Sequence, residues 1–164
     1  LTISDTRSLK NDKSGDLLVS KITDAGHILV KREITQDNIQ KIKINLQQSI
    51  QDPDIDVVIS TGGTGLTGRD VTPEAFRSIF DKEIEGFGEM FRYLSFQKIG
   101  TSTLQSRALA GVSGGTYLFA LPGSPSACRD DWDDLLVHQL DYRHKPCNFV
   151  EIMPRLLEAG ISGR

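Results

Sequence analysis

The feature that most constrains the fold is an apolar run that passes directly into a glycine-rich loop. Residues Ile55 to Ser60 are rich in β-branched side chains, and their apolar character is nearly continuous rather than alternating. Such a run predicts a strand that is covered on both faces, as in a parallel sheet. The loop that follows reads STGGTGLTGRD, from Ser60 to Asp70. Because helices and strands alternate around it, we predict an α/β domain with its ligand site at the carboxyl ends of the strands.

The same alternation runs along the rest of the chain. Further strands are predicted over residues 1–4, 27–34 and 116–121, with helices between them and a last helix that reaches about Leu140. The 164 residues suffice for one domain. Side chains that accept hydrogen bonds from backbone N–H groups are expected to cap the helices. They are Ser14, a residue of the 35–38 segment, Thr72 and Ser124.

Helical spacing also predicts which faces are buried. Two apolar stripes are expected to pack in the core or at a subunit contact. They are Ile39, Ile42, Leu46 and Ile50 in one helix, and Phe87, Met90, Phe91 and Leu94 in another. The acidic run DDWDD over 130–134 falls in the early turns of the last helix, where negative charge complements the helix dipole. We expect that run to be solvated.

Composition excludes several classes of protein. The formal net charge is −3, so the chain lacks the basic excess typical of a nucleic-acid-binding protein. No apolar run approaches the roughly 18 residues that a membrane span requires. The two cysteines, Cys128 and Cys147, have no spacing typical of a zinc site and are expected to be reduced thiols of a cytoplasmic protein.

The glycine loop formally matches a dinucleotide-binding fingerprint, with Gly63, Gly65 and Gly68 in the required spacing. Two features disfavour that interpretation. The following helix is predicted to begin only at Thr72, several residues after the glycines. In addition, the window over 83–94, where the fingerprint requires a strand ending in an acid, has a helical pattern. A Walker-type loop is excluded because no Gly-Lys-Ser/Thr sequence follows the glycines.

What remains is a wide loop with free N–H groups, three hydroxyls and a carboxylate. Thr61, Thr64 and Thr67 supply the hydroxyls and Asp70 the carboxylate. Amides that bind oxygens, next to a carboxylate that binds a divalent cation, suit a phosphate ligand accompanied by magnesium. Two other interpretations stay open on the residues alone: a glycine-rich turn without a ligand, and Asp70 as a turn residue or helix cap.

Several ordered motifs together resemble one family. The runs TGGTGLTGRDVTPEA, EGFGEMFR, GTSTLQSRALAG and LPGSP are similar to those of the MogA/MoaB family of molybdenum-cofactor biosynthesis proteins. The resemblance extends from Ser4 to Phe149, and the segments LSFQKIGTSTLQSRA and RHKPCNF are closer to the MoaB branch. It implies a three-layer α/β/α sandwich around a mostly parallel sheet. It also implies a single molybdopterin-binding domain over 1–150, followed by a C-terminal tail over 151–164.

The resemblance implies a site as well as a fold. Catalytic members transfer AMP from ATP, with Mg²⁺, to the terminal phosphate of molybdopterin. The two acids expected to be catalytic and to bind Mg²⁺ match Asp37 and Asp70. From the residues alone, without the resemblance, Asp37 is interpreted as a helix cap. The residues expected to bind molybdopterin or the nucleotide are Ser4, Asp5, Thr61, Gly62, Gly63, Thr64, Gly65, Ser102, Ser106, Pro122, Gly123, Ser124 and Pro125.

Two functions stay open at this point. One is a cytoplasmic molybdopterin adenylyltransferase that uses ATP and Mg²⁺. The other is a non-catalytic molybdopterin-binding or scaffold protein of the MoaB type. Either would form homotrimers or homohexamers and could meet a separate molybdate-inserting protein. A dinucleotide-dependent oxidoreductase rests only on the formal fingerprint.

Overall fold

A computed structural model describes residues 1–158 of the chain and contains one six-stranded sheet. Its strands are β1 (Thr2–Ile3), β2 (Ile34–Thr35), β3 (Val57–Thr61), β4 (Lys82–Glu83), β5 (Leu109–Ser113) and β6 (Thr116–Leu121). Its helices are α1 (Lys13–Asp24), α2 (Ile39–Gln51), α3 (Thr72–Arg77), α4 (Glu85–Ile99), α5 (Pro125–Asp131), α6 (Val137–Gln139) and α7 (Phe149–Ile152). A π-helical turn, Trp132–Leu136, joins α5 to α6, and 3₁₀ turns span Gly100–Gln105 and Met153–Arg155.

The sheet is parallel on the side that carries the site. The strand order is β2-β1-β3-β6-β5-β4, and β2, β1, β3 and β6 run parallel to one another. β5 is antiparallel to both of its neighbours, so the sheet is mixed. Because the four parallel strands point the same way, the loops that follow them meet at one edge. The predicted α/β architecture around a mostly parallel sheet is confirmed.

Both faces of the sheet are covered, which explains the continuous apolar runs. Along β6, Tyr117, Phe119 and Leu121 face one core, and Leu118 and Ala120 face the other. The first core is completed by α1, α4 and the α5 segment, and the second by α2 and α3. Side chains alternate between the two faces of a strand, so a strand between two helical layers is apolar at every position.

Two of the predicted helix caps are confirmed. Asn38 accepts from the Lys41 N–H (3.1 Å), and Ser124 accepts from the Ala127 N–H (3.2 Å). Two others are wrong. The cap of α1 is Asp12, which accepts from the Gly15 N–H (3.0 Å). α3 has no side-chain cap, because the Thr72 hydroxyl donates to the distant Gly62 carbonyl.

The predicted strand over 27–34 is also wrong in extent. Only Ile34 and Thr35 pair with β1, and residues 27–33 have no regular structure. Ile28 is 87% exposed, so its apolar character does not reflect burial. A strand needs a partner backbone, and β1 offers one over two residues only. Strands β4 and β5, for which we made no prediction, complete the far side of the sheet.

The expected solvation of the acidic run is wrong for one residue. Asp131 is 1% exposed, and its two carboxyl oxygens have no hydrogen-bond partner within the described part of the chain. Its neighbours behave as expected, since Asp130 and Asp134 both pair with Lys98 and Asp133 pairs with Lys21. Burial, and then the charges of Asp130 and Asp134, raises the pKa of Asp131 well above its ordinary value.

We expect Asp131→Asn to stabilise the protein, and more so at pH 7 than at pH 4. Above the ordinary pKa of aspartate, the unfolded chain ionises at this position but the buried carboxyl resists ionisation, so its presence costs stability as the pH rises. Asparagine keeps a polar group at this position but cannot ionise, so it removes only this pH-dependent cost, and each tenfold rise in proton affinity on folding corresponds to about 1.4 kcal/mol. Thermal unfolding at the two pH values measures the change. Asp133→Asn, which breaks an exposed pair, is the control and should have little effect.

The C-terminal part contributes to the core as far as it is described. Met153 and Leu156, from the segment predicted as a tail, pack against the core formed with α1, α4 and α5. Residues 159–164 of that segment lie outside the described residues. Across the described range, no helix combines the length and the apolarity that crossing a membrane would require.

Candidate functional site

The loops that follow the parallel strands surround a cleft of about 220 Å³. The first loop follows β1, Asp37 follows β2, the glycine loop follows β3 and the LPGSP loop follows β6. The structure therefore brings together residues from four separate parts of the sequence. Of the predicted site residues, those that line the cleft are Ser4, Asp37, Thr61, Gly62, Gly63, Asp70 and Gly123.

The glycine loop is built on two residues with positive φ. Gly62 has φ +106° and Gly63 has φ +65°, a region that residues with a side chain rarely adopt. A Cβ at Gly63 would lie 2.8 Å from Asp37 Oδ1 and 2.3 Å from Thr72 Oγ1. The missing side chain thus lets the Asp37 carboxylate approach the loop backbone. The N–H group of Gly63, which lines the cleft, has no acceptor within residues 1–158, so it is available to a ligand.

Asp37 is a half-buried carboxylate among other acids. Burial, followed by the negative charges of Asp5 and Asp70, raises its pKa above the ordinary value. Its own N–H donates to Asp5 Oδ1 (3.3 Å). A hydrogen bond from the Asp5 backbone partly offsets this rise, and no side chain within residues 1–158 donates to the Asp37 carboxylate. A carboxylate without side-chain donors and beside like charges is stabilised by a cation.

The Asp70 carboxylate, unlike that of Asp37, accepts a hydrogen bond from a side chain as well as from the backbone. Burial tends to raise its pKa, but hydrogen bonds from the Thr67 hydroxyl, the Thr67 N–H and the Gly65 N–H outweigh burial, so the pKa lies below the ordinary value. The Thr67 hydroxyl and N–H both donate to Asp70 Oδ2, at 2.6 and 2.8 Å. Asp70 therefore stays ionised, and the two predicted catalytic acids differ in proton affinity although they line the same cleft.

These two acids fit magnesium held jointly with a phosphate, rather than a resident metal. Among residues 1–158, no group of three or more His, Cys, Asp or Glu side chains could hold a metal ion by itself. Mg²⁺ is commonly bound by one or two carboxylates that are complemented by substrate phosphates and water. Asp37, whose carboxylate has no side-chain donor within the described residues, could supply one such carboxylate, and Asp70 could supply the other.

An exposed ion pair connects two of the loops across the cleft. Arg69 Nε donates to Asp5 Oδ2 (3.0 Å), and Arg69 Nη2 contacts the same oxygen. Asp5 does not itself line the cleft, whereas Arg69 does. Asp5, which is a predicted ligand-binding residue, thus pairs with Arg69.

The remaining predicted residues mostly support the loops. The Thr61 hydroxyl donates to the Pro122 carbonyl (2.8 Å), and a Cβ at Gly123 would lie 3.3 Å from the Gly62 Cα, so the two loops pack closely. Thr64 is 4% exposed. Those that do not line the cleft are Asp5, Thr64, Gly65, Ser102, Ser106, Pro122, Ser124 and Pro125.

Sequence reasoning missed Arg107, which anchors the glycine loop. Its Nε donates to the Gly65 carbonyl (2.8 Å), its Nη2 to the Asp70 carbonyl (2.7 Å) and its N–H to the Thr64 carbonyl (3.1 Å). Its guanidinium also pairs with Glu74. Arg107 lies in the LQSRA run, from which the adjacent Ser106 was selected instead. Its only sequence signal is an arginine placed immediately before a buried strand.

Arg7 and Asp12 were missed as well. Arg7 lines the cleft, and its Nη2 donates to the Gly123 carbonyl (3.2 Å). Asp12, which caps α1, is 0% exposed and accepts from the Thr2 hydroxyl (2.6 Å). The polar run after β1 thus contains a buried acid and a cleft-lining cation, and neither belongs to a motif of the sequence.

A second, larger cavity is of another kind. It has a volume of about 850 Å³ and is lined largely by apolar residues of α1, the 27–33 segment and the first residues of β3. Of the predicted site residues it includes only Thr61. The smaller cleft, which is lined by two acids and two arginines, is therefore the candidate site.

Comparisons with known proteins identify the family of the chain. A family model described as "Probable molybdopterin binding domain" matches residues 1–142. Molybdenum cofactor biosynthesis protein B of Escherichia coli (strain K12) is 50% identical over 149 residues, which cover 91% of this chain and 88% of that protein.

Solved structures give the same result. A crystal structure of molybdenum cofactor biosynthesis protein B has a TM-score of 0.83 at 44% identity, covering 85% of this chain and 87% of that one. The tungsten cofactor synthesizing protein MoaB from Pyrococcus furiosus has a TM-score of 0.75 at 36% identity, with 82% and 86% covered. The chain thus belongs to the molybdopterin-binding domain family of the MoaB and MogA proteins, and its role lies in molybdenum cofactor biosynthesis.

Proposed function

We propose that this protein is a molybdopterin adenylyltransferase that binds molybdopterin and MgATP in the 220 Å³ cleft. The observation that carries the proposal is the meeting of Asp37 and Asp70 beside the glycine loop, with their pKa values shifted in opposite directions. Two acids without a metal would repel a polyphosphate. Together with Mg²⁺ they would bind one, because the metal neutralises the phosphate charge.

In the proposed reaction, an oxygen of the terminal phosphate of molybdopterin attacks the α-phosphorus of ATP. A bond forms between that oxygen and the α-phosphorus, and the bond to the β-phosphate oxygen breaks, so pyrophosphate leaves and adenylylated molybdopterin remains. Nucleotidyl transfer depends mainly on positioning and charge stabilisation. The N–H group of Gly63 binds a phosphate oxygen, and Arg107 keeps the loop that carries Asp70 in place.

The test is to incubate purified protein anaerobically with molybdopterin, ATP and Mg²⁺. We expect pyrophosphate and adenylylated molybdopterin to form in equal amounts, and neither to form without Mg²⁺. Molybdopterin that binds but is not adenylylated would contradict the proposal.

The second candidate is a non-catalytic molybdopterin-binding protein. It is favoured by the similarity to proteins named molybdenum cofactor biosynthesis protein B, since that name states a pathway and not a reaction. Titration calorimetry separates the two candidates. An adenylyltransferase binds ATP in a Mg²⁺-dependent manner, whereas a scaffold binds molybdopterin alone.

We also propose that the protein is cytoplasmic, that it forms homotrimers or homohexamers, and that its product passes to a molybdate-inserting protein. The exposed side of α4 supports the assembly. In the predicted stripe, Phe87 and Phe91 are buried, whereas Met90 is 47% exposed, and Tyr93 and Phe96 are also exposed. Exposed apolar patches of this kind commonly mark protein contacts.

We expect Phe96→Asp to reduce the mass of the assembly, because a charge in an apolar contact lacks a partner. Sedimentation equilibrium measures the mass. Tyr142→Asp, which places the same charge at another exposed aromatic residue, is the control and should leave the mass unchanged. An unchanged mass for Phe96→Asp would show that α4 is not the contact.

A further inference from the structure

Arg7 lies at the end of the cleft that is remote from Asp37. It contacts the LPGSP loop after β6, whereas Asp37 follows β2, and the sheet order places β1 and β3 between those two strands. Arg7 Nη2 donates to the Gly123 carbonyl (3.2 Å), and Nη1 donates to Ser14 Oγ (3.3 Å). Ser14 Oγ itself donates to the Gly123 carbonyl (2.8 Å). The guanidinium is therefore held in place at the junction of three segments.

The anchored guanidinium keeps donors for a ligand. A guanidinium carries five N–H donors, and the described hydrogen bonds of the Arg7 side chain use two of them. Its Nη1 is also 3.6 Å from Asp12 Oδ1. Even if that ion pair takes one more donor, two remain. The side chain is 31% exposed, so these donors are accessible from the cleft.

The charge of Arg7 is only partly balanced. Its acidic neighbour Asp12 lies closer to Arg32, whose Nη2 donates to Asp12 Oδ2 at 3.2 Å. Asp12 also accepts from the Thr2 hydroxyl and the Gly15 N–H. Arg69, the other cation that lines the described cleft, is engaged with Asp5. Arg7 is thus the cleft-lining cation with the weaker ion pair, because its Nη1 is 3.6 Å from Asp12 Oδ1 whereas Arg69 Nε is 3.0 Å from Asp5 Oδ2.

We propose that Arg7 binds a phosphate group in the cleft. The proposal rests on the proposed function for the origin of that phosphate, which is either the terminal phosphate of molybdopterin or the polyphosphate of ATP. Asp37 and Asp70 hold phosphate through Mg²⁺ at one end of the cleft, and Arg7 holds phosphate directly at the other. Arginine suits this role because its planar donors match two phosphate oxygens at once.

The first experiment is calorimetric titration of the purified protein with inorganic pyrophosphate and Mg²⁺, which requires neither molybdopterin nor turnover. We expect Arg7→Gln to weaken binding about 10- to 100-fold, as the loss of a charge-assisted hydrogen bond typically does. Arg7→Lys should fall between Arg7→Gln and the wild type, since lysine keeps the charge but not the planar donors. The affinity of Arg7→Gln should also depend less on salt concentration.

Two further variants separate charge from structure. Lys10→Gln removes a charge from an exposed residue of the same loop that does not line the cleft, and it should bind as the wild type does. Ser14→Ala removes an anchor of the Gly123 loop but keeps the cation. If Arg7 only supports the loop, Ser14→Ala and Arg7→Gln will weaken binding equally. If Arg7 binds phosphate, Ser14→Ala will have the smaller effect.

Titration with molybdopterin and with MgATP then identifies the source of the phosphate. The ligand whose affinity falls in Arg7→Gln, but not in Lys10→Gln, is the one that Arg7 contacts. Equal affinities of Arg7→Gln and Lys10→Gln for all three probes would overturn the proposal, as would a wild type that binds none of them. Phosphate binding that depends on Arg7 without adenylyl transfer would overturn the proposed function alone.

Discussion

Asp37→Asn is expected to lower the rate of adenylyl transfer about 1,000-fold while leaving the fold intact. No side chain within the described residues donates to this carboxylate, and an amide oxygen can still accept from the Asp5 backbone, so the amide removes the charge with little change in contacts. A metal that stabilises a transferring phosphoryl group contributes several kcal/mol, and about 4 kcal/mol corresponds to a factor of about 1,000 in rate. The measurement is the initial rate of pyrophosphate release, together with the melting temperature.

The melting temperature distinguishes a loss of catalysis from a loss of folding in the Asp37→Asn variant. Burial and the charges of Asp5 and Asp70 oppose ionisation of Asp37, so neutralising it should leave the free protein at least as stable as the wild type. Asp54→Asn, at an exposed residue away from the cleft, should change neither quantity. A variant that loses activity only because it unfolds, or one that keeps full activity, would contradict the assignment.

The raised pKa also predicts how magnesium binding depends on pH. A carboxyl must lose its proton to bind a metal. Because the pKa of Asp37 is raised, protonation and loss of Mg²⁺-dependent ATP binding should begin at a higher pH than for an ordinary aspartate. Asp70, whose pKa is lowered, should stay ionised over that range. The Asp37→Asn variant lacks this carboxyl, so any Mg²⁺-dependent ATP binding that it retains should not weaken over the same pH range.

Gly62→Ala is expected to lower the free energy of unfolding by about 2–4 kcal/mol, because the added Cβ meets the backbone in an unfavourable conformation. That Cβ would lie 2.2 Å from the Ile3 carbonyl oxygen, and Gly62 has φ +106°. The oxygen belongs to β1 and cannot move without disturbing the sheet. Thermal unfolding should show a decrease of roughly 5–15 °C for a chain of this size.

Gly68→Ala is the matched control in the same loop. A Cβ at Gly68 would meet no atom within 4 Å, and its φ lies outside the left-handed region. Alanine there should be neutral or slightly stabilising, because it restricts the unfolded chain. Equal losses for the two variants would mean that the loop tolerates alanine at neither position, and Gly62 would have no special role.

The sequence predicts those features of the fold that depend on local chemistry. The strand over 116–121 and the cap of α5 at Ser124 are confirmed, because burial on two faces and capping are visible in the residues themselves. The cap of α1 is wrong because Asp12 and Ser14 are both good caps, and the choice depends on contacts with Thr2 and Gly123. Long-range contacts of this kind leave no local pattern.

The residues of the candidate site likewise divide into those that the sequence predicts and those that it does not. The glycine loop is visible as a sequence motif, and Asp37 and Asp70 follow from the resemblance. Arg107 is not visible, because its side chain reaches back to Gly65, 42 residues earlier in the chain. The burial of Asp131 is not visible either, because the acidic run around it has the pattern of a solvated surface. Its neighbours Asp130 and Asp134 do pair with Lys98.

The contacts of Arg107 have a consequence for how this loop can change over evolutionary time. Its hydrogen bonds to the glycine loop all go to main-chain carbonyls, those of Thr64, Gly65 and Asp70. Every residue has such a carbonyl, so an exchange of side chains between positions 64 and 70 leaves the anchor in place. A lineage can therefore replace the acid or its neighbours, and gain or lose an activity, while the loop itself keeps its path.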